Sequence, residues 1–264
     1  MAFDFHTDAP VYIEQQYQNS KNFVLPFIAK HKKIEAGSRV LEIGCGQGGV
    51  LKPFLEIGCH VVGVDLDEQK LNIAKNLFAN DISAGNASFI FKNIYDVTIE
   101  ADFKELFDVI ILKDSIEHIP DQKKIIDYLK NFLAKDGIIF FGFPPWHMPF
   151  GGHQQICKNK LLSLLPYYHL LPKAAYTSFL KLAGEPEPVI KELLEIKETG
   201  ISIERFERIV KETGYQIVER KLYLINPIYR YKFKLEPKEQ LGFISGIPFF
   251  RNFVSTCAYY LIKV

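Results

Sequence analysis

Three glycines and two carboxylates carry the first chemistry legible in the chain. In "VLEIGCGQGGVL", residues 40–51, Gly44, Gly46 and Gly49 fall as G-x-G-x-x-G, Glu42 stands two residues ahead, and Asp65 closes "VVGVD". A glycine-rich turn between a strand and a helix lets a ligand approach the backbone, because no Cβ stands in the way. An aspartate at the tip of the next strand can accept both hydroxyls of a ribose. These features suit any nucleoside, nicotinamide dinucleotides included. Glu42 separates the alternatives: beside a pyrophosphate it would meet like charge, whereas a cationic ligand group would be attracted to it.

A second set of groups could move protons. His118 stands in "LKDSIEHIPD", behind Lys113 and Asp114, and His147 and His153 stand in "PPWHMPFGGHQQ". Imidazole suits general-base work near neutral pH. Gly151 and Gly152 permit tight backbone beside His153, which makes His153 the preferred base and His118 the second candidate. Trp146, Met148 and Phe150 offer apolar contact around them. The four cysteines, Cys45, Cys59, Cys157 and Cys257, form no C-x-x-C pair, so neither a zinc site nor a disulfide framework is expected. No metal is assigned.

These residues need a scaffold, and the hydrophobic pattern supplies one. Apolar residues at helical spacing over residues 10–33 imply one or two amphipathic helices. Short apolar runs then alternate with helical stretches: strands in "RVLEIG", "HVVGVD", "ASFIFKN", "FDVIILKD" and "GIIFFGFP", helices from about Gly49 to Ile57 and in "DEQKLNIAKNLFAND" and "DQKKIIDYLKNFLA". That alternation implies a parallel sheet covered on both faces. After Phe143 the chain turns rich in Pro, Gly and aromatics, which reads as an insertion. Alternation resumes with the helix "SIERFERIVKETG", the strand "YQIVERKLYLI" and the final run "TCAYYLIKV". The expected division is an N-terminal helical cap over 1–36, a ligand-binding core over 37–145, a lid or insertion over 146–200, and completion of the sheet over 201–264.

Bulk composition excludes several classes. With 264 residues and 48% hydrophobic content the chain can bury a large core. Its net charge of +1 gives no electrostatic footprint for nucleic acid. The N-terminus lacks the pattern of a secretory leader, and no run approaches a membrane span, so a cytoplasmic protein without a stable span is expected. The Leu- and Tyr-rich stretch "LLSLLPYYHLLPKAAYTSFLKLAG" could form a substrate lid, a homodimer surface, a membrane-surface contact or a self-contained packing layer.

"VLEIGCGQGG", "VVGVDLD", "FDVIILKDSIEHIPD" and "LAKDGIIFFGFP", in this order and at these spacings, resemble the class I S-adenosylmethionine-dependent methyltransferases. The resemblance covers roughly residues 39–144. It implies a Rossmann-like three-layer α/β sandwich with a seven-stranded, mostly parallel sheet whose last strand is antiparallel, and S-adenosyl-L-methionine as cofactor. Carried onto this chain, it sets Gly44, Cys45 and Gly46 against the methionine part and Glu42 near its ammonium. Asp65 takes the ribose hydroxyls, Leu66 packs on the adenine, Asn93 and Ile94 meet the adenine edge with Asp96 as competitor, and Lys113 follows the fourth strand at the cofactor.

Methyl transfer from a sulfonium asks the protein for alignment and a dry pocket, with a base only if the acceptor is protonated. The expected function is transfer to a small apolar or aromatic acceptor, on oxygen first, with nitrogen and carbon open. The N-methylating N/D-P-P-Y/F pattern is absent after the fourth strand, where Lys113, Asp114, Ser115 and Ile116 stand. Two rivals remain at this level: a protein that binds the cofactor without catalysis, and a nicotinamide oxidoreductase, which Glu42 and "EHIPD" oppose.

Overall fold

The computed structural model describes residues 8–264; the first seven residues of the expected N-terminal cap lie outside these. The strands are β1 (Arg39–Ile43), β2 (His60–Asp65), β3 (Ala87–Phe91), β4 (Phe107–Lys113), β5 (Leu133–Phe143), β6 (Gln216–Ile225), β7 (Lys238–Glu239) and β8 (Cys257–Lys263). They form one sheet in the order β3-β2-β1-β4-β5-β8-β6-β7. Strands β1 to β5 pair in parallel, and β8 runs antiparallel to both β5 and β6. This is the expected seven-stranded sheet with its last strand reversed, plus one difference. The two-residue β7 adds an eighth, edge strand, paired with β6 at Tyr223 and Ile225.

The central strands are apolar on both sides because both sides are covered. Leu41, Ile110, Ile139, Phe141 and Tyr260 enter one core cluster, while their sequence neighbours Val40, Val109, Ile138, Phe140 and Tyr259 enter the other. That period of two is the pleat of a strand. Each fully buried side chain of this size contributes about 1.5–3 kcal/mol. Phe206, on the helix Ile203–Glu212, closes one face with its ring 5.0 Å from those of Phe141 and Phe143.

The N-terminal segment runs as a helix over Ala9–Asn19, a wider turn over Ser20–Val24, and a further helix over Leu25–Ala29. It lies on the glycine-rich turn. A Cβ on Gly49 would stand 2.8 Å from the Ile13 carbonyl oxygen and 2.9 Å from the Gln16 Cβ, so the third glycine of the pattern admits a helix. Ser20 Oγ donates to the Val50 carbonyl at 2.7 Å and fixes the contact.

Residues 146–200 carry three α-helices, Lys160–Leu164, Lys173–Leu182 and Glu187–Thr199. Cys157, Leu162, Tyr168, Tyr176, Leu180, Ile190 and Leu193 form a third apolar cluster there, so much of the Leu and Tyr excess goes into packing this segment upon itself. An open groove of ≈ 680 Å³ between its two longer helices, lined by Thr177, Lys181, Ile190 and Leu194 among others, contains none of the candidate site residues. Among the described residues no helix is long and apolar enough to cross a membrane.

Candidate active site

In the sheet order, β1 is followed toward one edge by β2 and toward the other by β4. Chain connections leave β1 and β4 in opposite directions there, which opens a crevice at their carboxyl ends. Glu42, at that end of β1, is 2% exposed, and its Oε2 has no hydrogen-bond partner. Burial drives its pKa well above the ordinary 4.5, and Asp65 and Asp114 add to this against the pull of Lys113. A buried acid without a partner costs free energy unless it is neutral or paired.

The turn after β1 is shaped for close approach. Gly44 has φ +75°, and a Cβ there would collide with Ser115 Oγ. Asp65 fixes the next step: one carboxylate oxygen accepts Gly46 N–H at 2.6 Å and the other accepts Asp67 N–H at 2.8 Å. Each oxygen keeps a second lone pair. Leu66 is 68% exposed beside it, a bare apolar surface next to a ribose-type acceptor. Asp67 also caps the helix Glu68–Leu77 by accepting Lys70 N–H at 3.1 Å, a contact worth about 1 kcal/mol. The cofactor fit therefore rests on three features: an unpaired buried carboxyl for a cation, an anchored carboxylate with free lone pairs, and a turn that excludes a side chain.

The structure qualifies three of the expected donor contacts. Cys45 is buried with its sulfur toward β2, where a Cβ on Gly63 would meet it at 2.5 Å, so only its backbone is left for a ligand. Asn93 already uses Oδ1 to accept Tyr95 N–H at 3.1 Å. The Ile94 side chain belongs to the core. Lys113, the last residue of β4, is buried and holds Asp114 at 2.5 Å. Burial opposes its charge, yet Asp114 outweighs that and raises its pKa. Asp114 is correspondingly lowered: burial works against ionisation, and Lys113, Lys232 and His153 overcome it.

On the other side of Asp114 the two preferred bases meet. The rings of His118 and His153 lie 4.8 Å apart at 74°, although the loops that carry them follow different strands. His153 and Asp114 both hold left-handed backbone, φ +55° and +54°. Such geometry in a non-glycine residue costs on the order of 1–3 kcal/mol and concentrates at functional sites. The glycines before His153 are packed as expected: a Cβ on Gly151 would strike the Trp146 carbonyl, and one on Gly152 the His169 ring. His118 has its pKa lowered by loss of solvation, with Asp114 pulling the other way. Donor atoms of Glu117, His118 and His153 lie within 4.8 Å of one another, a grouping that could hold a cation. Glu117 is 3% exposed with both carboxyl oxygens unpartnered, and burial followed by Asp114 raises its pKa well above 4.5.

Other candidates turn away. The His147 ring packs 5.3 Å from Phe253, and the only charge that moves its pKa appreciably, after desolvation, is Glu204. Trp146 stacks edge-on to His169 at 4.7 Å, and Met148 is buried. Three residues that the sequence reading left without a chemical role join the site. Tyr12 has its pKa raised by burial and then by Asp114, Tyr229 is pushed to about 12 by burial, Cys257 and Asp114, and Lys232 stands over the Tyr12 ring at 5.7 Å. Nothing in the spacing of "YRYKF" marks Lys232, because only the fold brings it across to Asp114.

A methyltransferase-domain family model matches residues 12–172, more than half of the chain. The ubiquinone biosynthesis O-methyltransferase of Idiomarina loihiensis is 33% identical over 117 residues, 44% of this chain and 46% of that protein. The chain thus spans about half the length of that curated relative. Among solved structures, a putative sarcosine dimethylglycine methyltransferase from Galdieria sulphuraria aligns with TM-score 0.59 at 13% identity, covering 93% of this chain and 85% of that one. An S-adenosylmethionine-dependent methyltransferase from Clostridium acetobutylicum aligns with TM-score 0.56 at 14% identity, covering 94% and 92%. At such identity these two speak for the fold alone, and the motif order and the domain match then make the chain a member of the class I S-adenosylmethionine-dependent methyltransferase family.

Proposed function

We propose that the chain binds S-adenosylmethionine in this crevice and methylates a hydroxyl group of a small molecule. The observation that carries the donor reading is the pairing of Glu42, buried and unpartnered, with Asp65, whose carboxylate is locked onto the glycine turn. An ammonium and a ribose on one ligand match both. The oxygen reading is supported by the relative from Idiomarina loihiensis, named an O-methyltransferase, and by the meeting of two histidines beside the crevice.

When bound, the cofactor supplies a methyl group already activated on a sulfonium, so no redox chemistry is needed. Glu42 holds the ammonium, Asp65 the ribose hydroxyls, and Leu66 offers the adenine an apolar face. Asn93 and Ile94 approach the adenine edge chiefly through backbone. Lys113 keeps Asp114 ionised and in place. A ring nitrogen of His153 accepts the acceptor's hydroxyl proton, and His118, packed against it, restricts its orientation. The N-terminal helix with Tyr12 and the segment 146–200 cover the crevice and exclude water, which strengthens each charge interaction inside it.

The test incubates the purified protein with methyl-labelled S-adenosylmethionine and a fractionated metabolite extract. Label should move to a product that releases it only on ether or ester cleavage. Tight cofactor binding with no labelled product from any fraction would favour the non-catalytic reading instead.

A further inference from the structure

The short helix Tyr229–Phe233 that follows β6 carries Lys232, whose charge acts on Asp114 at the end of β4. It rests on the N-terminal helical segment: the Tyr231 carbonyl accepts Gln15 Nε2 at 3.5 Å, and the Tyr231 hydroxyl accepts Asn22 Nδ2 at 3.0 Å. Lys232 Nζ thereby stands 5.7 Å from the centre of the Tyr12 ring, a cation over an aromatic face.

The charges around it do not balance. Lys113 and Asp114 neutralise each other across 2.5 Å. Burial favours the uncharged acid form of Glu117, and partial loss of solvation the uncharged form of His118. Tyr12 and Tyr229 are both shifted upward and so remain neutral phenols. The Lys232 ammonium makes no hydrogen bond and no ion pair among the described residues. It is not simply solvated either. Burial lowers its pKa to about 8, with Asp114 opposing and Lys113 reinforcing the drop, so near neutral pH it is still mainly a cation, on a half-buried side chain. An unpaired, desolvated charge is costly, and a binding site removes that cost when its ligand brings the opposite charge.

We infer that Lys232 recognises a carboxylate carried by the methyl acceptor. One uncompensated ammonium beside the ionised Asp114 suits a monoanion and would repel a phosphate dianion. The Tyr12 ring beside it suits a flat acid. The donor's own carboxylate is the competing partner, but Glu42, Gly44 and Asp65 gather the donor at the ends of β1 and β2, whereas Lys232 faces Asp114 from the helix after β6. This inference rests on the reading of the crevice as a methyl-transfer site.

The experiment measures benzoate against benzamide, the same shape without the charge, by ligand-observed NMR on the full chain saturated with S-adenosylhomocysteine. Wild type should bind benzoate at least ten-fold more tightly than benzamide. Lys232→Met should erase that preference while S-adenosylhomocysteine affinity stays within two-fold, and Lys232→Arg should keep it. The inference is overturned if wild type shows no preference, if the preference survives in Lys232→Met, or if that variant loses S-adenosylhomocysteine affinity, which would give Lys232 to the donor. Failure of wild type to bind S-adenosylhomocysteine at all would instead remove the underlying reading of the crevice.

Discussion

Replacing Glu42 with Gln separates a methionine-type ligand from any anionic one. In the free protein the carboxyl is buried with Oε2 unpartnered, and desolvation lifts its pKa well above 4.5, so it holds a proton to higher pH than an ordinary glutamate. An ammonium docked against it favours the carboxylate and lowers that pKa, which ejects the proton on binding. The sign follows: affinity rises with pH up to the raised free-protein pKa, and levels off above it. A hydrogen bond to a charged group is worth about 1.5–3 kcal/mol, so Glu42→Gln should weaken S-adenosylhomocysteine binding roughly 10- to 150-fold. Calorimetry in two buffers of different ionisation enthalpy reads the proton directly. Wild type should release up to one proton per ligand and the variant none from this position. Equal affinity and equal proton release in the two proteins would refute the assignment of Glu42 to the ammonium.

Three further outcomes are expected. His153→Ala should lower turnover by about 10²- to 10⁴-fold, the usual range for a general base, with S-adenosylhomocysteine affinity unchanged in calorimetry; His118→Ala should cost less. Gly44→Ala should destabilise the protein by about 1–2 kcal/mol from the left-handed backbone alone, and more from the contact with Ser115. In denaturant melts, adding Ser115→Gly should recover the second part and not the first. Glu117 has a folded-state pKa raised above 4.5, so its contribution to stability is whole below that value and declines as pH rises through the folded pKa. Glu117→Gln should therefore gain on wild type in thermal melts as pH rises from acid to neutral, and a constant difference would argue against the buried, unpartnered carboxyl.

Much of the donor half was legible because it is local. Strand, turn and next strand are contiguous, and the continuous burial of "RVLEI" and "HVVGVD" follows from their apolar runs. What the local pattern does not record is the packing of the third glycine, Gly49, whose neighbour is Ile13 on a helix far away in sequence. The two-residue β7 has no hydrophobic signature, since an exposed edge pair needs none. The acceptor half was half legible. Loops after β4 and β5 were expected to face the crevice, and His118 and His153 do meet. His147, six residues from His153, turns toward Phe253, a choice made by loop packing that no spacing records. Lys232 and Tyr229 enter on the helix after β6, a strand separated from β5 in the sheet by the reversed β8, so their contacts are set by topology.

The most direct test of the account is a crystal structure of the chain with S-adenosylhomocysteine. The account predicts the ribose hydroxyls on Asp65, the amino group at Glu42, the adenine over Leu66, and the sulfur facing the side of the crevice where His118 and His153 meet. A ligand bound elsewhere, or bound here with its carboxylate rather than its ammonium at Glu42, would contradict it.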